Sequence, residues 1–265
     1  MAGVEQNLEV WERWDWSQQG DEWSASWGGT PALWHGALLP RIHTFVPTGT
    51  ILEIAPGYGR WTQYLKDLCE RLIVVDLAPQ CIEHCRERFS AERHIDYHVN
   101  DGRSLEMVED GTVDFVFSFD SLVHAEADVI DAYLGQLARK LTANGVGFIH
   151  HSNAGAYRRV SAVTRRVPHR LRAPLVQKGA LLDVYAWRAE SMTADLFAAQ
   201  CERAGLALVS QELINWEHGP YLTDALSVFA AKTTGRPPHR LRNRRFNRDT
   251  KRMAKLYANP RSTLR

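Results

Sequence analysis

The segment Ile51-Leu52-Glu53-Ile54-Ala55-Pro56-Gly57-Tyr58-Gly59-Arg60-Trp61 limits what this chain can fold into more than any other. An apolar, β-branched run reads as a buried strand. The Gly-x-Gly pair after it lets the backbone turn sharply and approach a ligand with no Cβ in the way. A helix is predicted from about Trp61 to Leu72. Strand, acid, glycine turn and helix in that order build one end of a nucleotide-type cofactor site. The dinucleotide fingerprint needs a further glycine three residues after Gly59, where helix packs on strand; Thr62 stands there, which argues against NAD or FAD.

Three more strands end in acids. Arg71-Leu72-Ile73-Val74-Val75-Asp76 places a carboxylate where Rossmann-like folds hold ribose hydroxyls. Tyr97-His98-Val99-Asn100-Asp101-Gly102 follows, with an acid suited to an adenine amino group, and Val113 to Asp120 is the fourth strand. Taken in order, Glu53, Gly57, Gly59, Asp76, Asp101 and Asp120 resemble the signature of class I S-adenosylmethionine-dependent methyltransferases from about Gly49 to Lys232. Ala55 departs from the family's usual first glycine.

The resemblance implies an α/β fold, a Rossmann-like and mostly parallel seven-stranded sheet with helices on both faces. It implies S-adenosylmethionine as cofactor and S-adenosylhomocysteine as product. Glu53, Gly57, Gly59, Asp76, Asp101 and Gly102 would form the cofactor site: the two loop glycines under the methionine end, Asp76 on the ribose, Asp101 and Gly102 beside the adenine. Asp120 would face the transferring methyl.

With 265 residues the chain can bury a substantial core, and its alternating helix and strand patterns suit one principal domain. No apolar run is long enough to span a bilayer and no signal-peptide core is seen, so a cytoplasmic location is expected. Cys69, Cys81, Cys85 and Cys201 lack the paired spacing of a zinc site and read as reduced, structural thiols.

Around a central domain, 41–235, the sequence sets off three segments. The first, 1–40, is a cap holding six of the nine tryptophans: Trp11, Trp14, Trp16, Trp23, Trp27 and Trp34. Most of these are expected to pack, with one or two lining an acceptor site, since a flat indole face suits a sugar ring or a base. The second, 153–191, is a basic insertion after the fifth strand (Gly145 to His151), placed as a lid over the acceptor pocket, with a solvated helix as the plainer reading. The third, 236–265, carries eleven Lys and Arg against one Asp and leaves 21 basic and 30 acidic residues in the remainder. It is expected to be too polar for a core of its own and to dock on the acidic body or a neighbouring subunit, with nucleic acid as the competing partner.

Methyl transfer from a sulfonium is an in-line displacement, so the protein must align a nucleophile and remove its proton. Thiols and amines need little help, whereas hydroxyls need a base or a metal. Asp120-Ser121-Leu122-Val123-His124 puts an acid and a histidine directly after the fourth strand. His124 is the candidate general base, and Asp120 can orient it or bind a cation. Alternation along the fifth strand admits only one of His150 and His151 to the pocket, and His151, nearer the strand end, is favoured. Asp120, His151 and Glu217 are a candidate Mg²⁺ set, weighed against a polar cluster without metal.

No Asn/Asp-Pro-Pro-Tyr loop follows the fourth strand, which argues against methylation of exocyclic amino groups of bases. The Trp-rich cap and the Asp120/His124 pair are similar to bacterial sugar and polysaccharide O-methyltransferases, those of methylmannose polysaccharides foremost. The resemblance implies a small carbohydrate acceptor, such as a mannoside hydroxyl, and is compatible with a homo-oligomer. An RNA methyltransferase using the basic tail and insertion to hold phosphates is the first alternative, and a non-catalytic binding module the second.

Overall fold

Period-two alternation in the first strand sends Ile51 to one face and Leu52 and Ile54 to the other, and all three are buried. A strand apolar on both faces needs cover on both. In the computed structural model, which describes residues 3–182, 187–216, 219–232 and 235–256, that cover is complete. The strands are β1 (Thr48–Ile54), β2 (Cys69–Asp76), β3 (Ile95–Val99), β4 (Val113–Ser118), β5 (Leu141–Ser152), β6 (Ala207–Ile214), β7 (Asp224–Ala230) and β8 (His239–Asn243). The helices are α1 (Val4–Arg13), α2 (Thr30–Leu33), α3 (Leu39–Ile42), α4 (Thr62–Leu65), α5 (Pro79–Arg88), α6 (Ala127–Lys140), α7 (Arg158–Arg166), α8 (His169–Gln177), α9 (Ala194–Ala204) and α10 (Phe246–Leu256).

Leu52, Ile54, Val116 and Ile149 pack with Ile130, Leu134 and Leu137 of α6 and Phe197 and Cys201 of α9. On the other face Ile51, Phe115, Phe117 and Phe148 pack with Trp34, Leu38 and Ile42 of the N-terminal segment, with Trp61 and Leu65, and with Ile82 and Cys85 of α5. The cap therefore contributes to the core on one side of the sheet. Trp34 is 2% exposed and stacks on Tyr64 at 4.8 Å.

The sheet has eight strands in the order β3-β2-β1-β4-β5-β7-β6-β8, which corrects the expected seven, and it is mixed although most of its pairings are parallel. β7 runs antiparallel to both β5 and β6. The extra strand comes from the basic tail: β8 pairs in parallel with β6, where Arg240 reaches Gln211 and Asp195 and Asn243 donates to Glu212. An edge strand needs only a free row of backbone groups, so a polar sequence suffices. After β8 the chain returns as α10, whose Phe246 is buried against Trp27 and Trp216.

The helix expected over Trp61 to Leu72 is shorter than its pattern suggested. α4 ends at Leu65, a 3₁₀ turn takes Lys66–Leu68, and β2 claims the rest by pairing from Thr48↔Cys69 onward. Strand order reverses around β1, with β2 on one side and β4 on the other, so a crevice opens at their carboxyl ends. All four cysteines are free thiols, as their spacing suggested.

Candidate active site

The crevice is a cavity of about 550 Å³. One half, the candidate donor half, is bordered by Ala55, Gly57, Asp76 and Gly102, and the far half by Trp11, Trp14, Trp23, Trp187, Trp216 and His124.

The donor half rests on backbone conformations that need small residues. Gly57 and Gly59 have φ of 57° and 81°, and Ala55, where the family usually has glycine, also adopts φ 60°. A non-glycine residue there is held at a cost of about 1–2 kcal/mol. A Cβ on Gly57 would lie 3.0 Å from the Trp16 ring, and one on Gly102 2.7 Å from Val4, so the N-terminal segment closes directly over the loop. Gly59 does not face the cavity. It packs under Phe89, where a Cβ would come within 2.5 Å.

Asp76 lies where its position in the sequence implies, 8% exposed on the cavity wall. One carboxylate oxygen accepts the Gly57 N–H at 3.1 Å and the other the Ala78 N–H at 2.9 Å. Burial, offset in part by these backbone N–H groups, leaves its carboxyl raised to about 6, so it is mainly ionised at neutral pH. Such a group can accept from vicinal ribose hydroxyls. Asp76→Ala is expected to weaken S-adenosylmethionine binding tenfold or more, since each hydrogen bond to a charged group contributes about 1.5–3 kcal/mol. Calorimetry on the folded variant checks this, and an unchanged affinity would exclude the role.

Two expected cofactor residues work at a distance from the cavity. Glu53 sits beneath the loop, accepting from Thr62 Oγ1 at 2.6 Å, and burial pushes its carboxyl up to about 8. It therefore stays protonated at neutral pH and holds α4 against the strand. Asp101 is exposed and caps its own turn, accepting the Arg103 and Ser104 N–H groups at 2.8 and 2.6 Å. The adjacent Gly102 is the residue of that pair that borders the cavity.

At the junction of the halves, Asp120 adopts φ 65° and is gripped by two guanidinium groups: Arg60 at 3.0 Å and Arg188 at 3.9 Å. Its N–H donates to His150 Nδ1 at 3.2 Å, and His150 Nε2 donates to Asp224 at 3.0 Å. Burial alone would raise the Asp224 carboxyl, but Arg188 at 2.9 Å and His150 more than reverse this and hold it below the usual carboxylate range. Arg60, Asp120, Arg188, Asp224 and His150 thus form one connected floor.

His124 follows on a short 3₁₀ turn, Leu122–His124, and lines the cavity. Its Nδ1–H donates to the Trp187 carbonyl, which fixes the tautomer and leaves Nε2 as the basic nitrogen. The Trp11 ring lies 5.4 Å away, and Asn7 holds the His124 carbonyl at 3.3 Å. Enclosure, with Arg188 adding to it, pushes the His124 pKa down to about 4.

His151 is not in the pocket. It faces α9, stacked on Phe197 at 4.1 Å and bonded to Ser227 Oγ at 2.8 Å. His150 is the residue on the Phe119 and Trp216 side, so the choice between the two histidines was inverted. The Mg²⁺ set fails with it: Asp120 and His151 lie on opposite faces of the sheet, and two guanidinium groups already surround Asp120. Glu217 lies outside the described residues. No group of three or more His, Cys, Asp or Glu suited to a metal occurs among the described residues.

Sequence reasoning missed Arg60, Trp187, Arg188, Asn247 and Lys251, all of which border the cavity. Arg60 was within reach, being next to Gly59. Trp187 and Arg188 close the insertion, whose remaining basic residues are mostly exposed; Arg165 pairs with Glu190 at 2.6 Å and Arg172 donates to Val167 O at 2.7 Å. Among its described residues, the insertion borders the cavity through Trp187 and Arg188.

The fold is similar to that of S-adenosylmethionine-dependent methyltransferases. Residues 51–145 match the family model described as "Methyltransferase domain". Nodulation protein S of Rhizobium tropici is 31% identical over 99 residues, 37% of this chain and 37% of that protein. Nodulation protein S of Sinorhizobium fredii (strain NBRC 101917 / NGR234) is 31% identical over 71 residues, 27% of this chain and 33% of that protein. The matched stretch spans little more than a third of these relatives' length. Among solved structures the PH0226 protein of Pyrococcus horikoshii OT3 is similar in fold, with TM-score 0.53 and 19% identity over 75% of this chain and 88% of that one. No helix among the described residues is long and apolar enough to cross a membrane.

Proposed function

We propose that this chain is an S-adenosylmethionine-dependent O-methyltransferase whose acceptor is a sugar or oligosaccharide hydroxyl, such as that of a mannoside. The observation that carries the reading is the continuity of the cavity. The Gly57–Asp76–Gly102 wall opens without a break onto a chamber walled by Trp11, Trp14, Trp23, Trp187 and Trp216, with His124 at the junction. Flat indole faces beside a few polar groups suit a pyranose ring, which offers C–H faces and a hydroxyl rim.

The bound cofactor would supply an activated methyl group on a sulfonium. The chain's own residues then have two tasks. The tryptophans and the Asp120–Arg188 floor hold the acceptor with one hydroxyl toward the donor half, and His124 Nε2 takes the proton of that hydroxyl as the oxygen attacks. Arg60 and Arg188 hold Asp120 in place, so that the floor is pre-organised rather than assembled on binding.

An amino-sugar nitrogen is the second reading, favoured by the low basicity of His124. A neutral amine attacks without prior loss of a proton and needs only to be oriented. Methyl-labelled donor offered with mannosides, glucosides, an amino sugar and RNA separates the readings. Label on a sugar oxygen is expected. Label only on nitrogen would move the reading to the amine, and label only on RNA would overturn the sugar acceptor altogether.

A further inference from the structure

From the place of α10 we infer that the acceptor carries an anionic group, phosphate or carboxylate, at its end away from the reacting atom, and that Lys251 binds it. The inference rests on the methyltransferase reading above and specifies its substrate. The sheet order sets its geometry: β2 and β3, near the donor residues, lie at one end, while β6, β8 and α10 lie at the other. A group on α10 therefore addresses the acceptor. Lys251 borders the cavity from that side, with its ammonium 5.2 Å from the centre of the Trp27 ring.

The cations of the cavity floor are matched, Arg60 by Asp120 and Arg188 by Asp224. Lys251 has no ion pair among the described residues. The cavity acid Glu22 accepts the Trp14 indole N–H at 3.0 Å through Oε1, its buried Oε2 takes no hydrogen bond, and it forms no ion pair with Lys251. Lys251 also belongs to a stripe: Arg248, Lys251 and Lys255 fall at i, i+3 and i+7 and share one face of α10. Like charges at such spacing disfavour the helix, and the one ion pair on the stripe, Arg248 to exposed Asp249 at 3.3 Å, offsets little of it. An anion seated at Lys251 meets a cavity-lining ammonium that has no ion pair among the described residues, and it relieves the repulsion along the stripe. A neutral acceptor does neither.

Calorimetry in the presence of S-adenosylhomocysteine tests this without turnover, using methyl α-mannoside, its 6-phosphate and the corresponding methyl mannuronide. The parent is expected to bind at least one anionic glycoside about tenfold or more tighter than the neutral one. Lys251→Gln should remove that preference, Lys251→Arg should keep it, and Arg252→Gln, exposed and outside the cavity lining, should also keep it. Tighter phosphate than uronide, or the reverse, identifies which anion is recognised. Equal affinities in the parent, or a preference that survives Lys251→Gln, would overturn the inference. Failure of the parent to bind S-adenosylhomocysteine would instead count against the methyltransferase reading, and the glycoside comparison could still be read alone.

Discussion

His124→Ala is expected to lower turnover by roughly 10²-fold or more while leaving S-adenosylmethionine affinity close to that of the parent. The separation follows from position. The ring borders the chamber, its Nδ1–H is committed to the Trp187 carbonyl, and the donor wall is built from other residues, Gly57, Asp76 and Gly102. The pH dependence carries a sharper signature. Burial and Arg188 push the His124 pKa down to about 4. A lowered histidine pKa keeps the neutral, proton-accepting form in solution down to that pH, so activity should persist through pH 6 and fall only as pH approaches about 4. A free imidazole would already be half protonated near pH 6.5. A kcat profile on an O-acceptor at saturating donor, where protonation of Asp76 near pH 6 no longer limits binding, checks this, and an acid limb centred near 6.5 would mean that His124 is not the base. A folded His124→Ala enzyme running at near-parent rates would remove it from the chemistry.

Phe246→Ala is expected to destabilise the fold by about 3–5 kcal/mol, the usual cost of emptying a fully buried aromatic site. Phe246 is 1% exposed, 5.8 Å from Trp27, 6.2 Å from Trp216 and 5.2 Å from the Arg41 guanidinium. For a chain of this size that corresponds to a fall in Tm of roughly 10 °C or more. The loss should not be confined to stability. Asn247, the next residue, is buried and donates to the Trp216 carbonyl, and both line the acceptor chamber. Acceptor KM should therefore rise more than donor Kd. Thermal unfolding beside donor calorimetry measures both. A tail serving only as a solvated appendage would give no change in either, and that result would contradict the packing described.

What was legible in the sequence follows from how locally each feature is determined. Gly57, Asp76, Gly102, Asp120 and His124 stand within a few residues of strand ends, and a parallel sheet brings strand ends together, so these positions could be read in order. Side-chain direction was less secure. Alternation required His150 and His151 to face opposite ways, but the face depends on the partners: Phe119 and Trp216 draw His150 toward the site, while Phe197 of α9 receives His151. Lone basic residues were the least legible. Arg188 and Lys251 sit in runs of charge that mostly face solvent, and only the return of the chain to the crevice distinguishes them. The tail docks on the body as expected, but not through charge alone. Its polar composition described β8 and most of α10 correctly, yet the single residue Phe246 docks the helix on a surface built by Trp27 and Trp216 from distant parts of the chain.

The most direct test of the account is a crystal structure with S-adenosylhomocysteine and a mannoside acceptor bound together. The account predicts the cofactor ribose on Asp76 and the sugar ring against the tryptophan wall. One hydroxyl should lie within about 2.6–3.2 Å of His124 Nε2 and face the cofactor sulfur in line with the missing methyl. A sugar bound outside the chamber, or one whose hydroxyls all point away from both His124 and the sulfur, would contradict it.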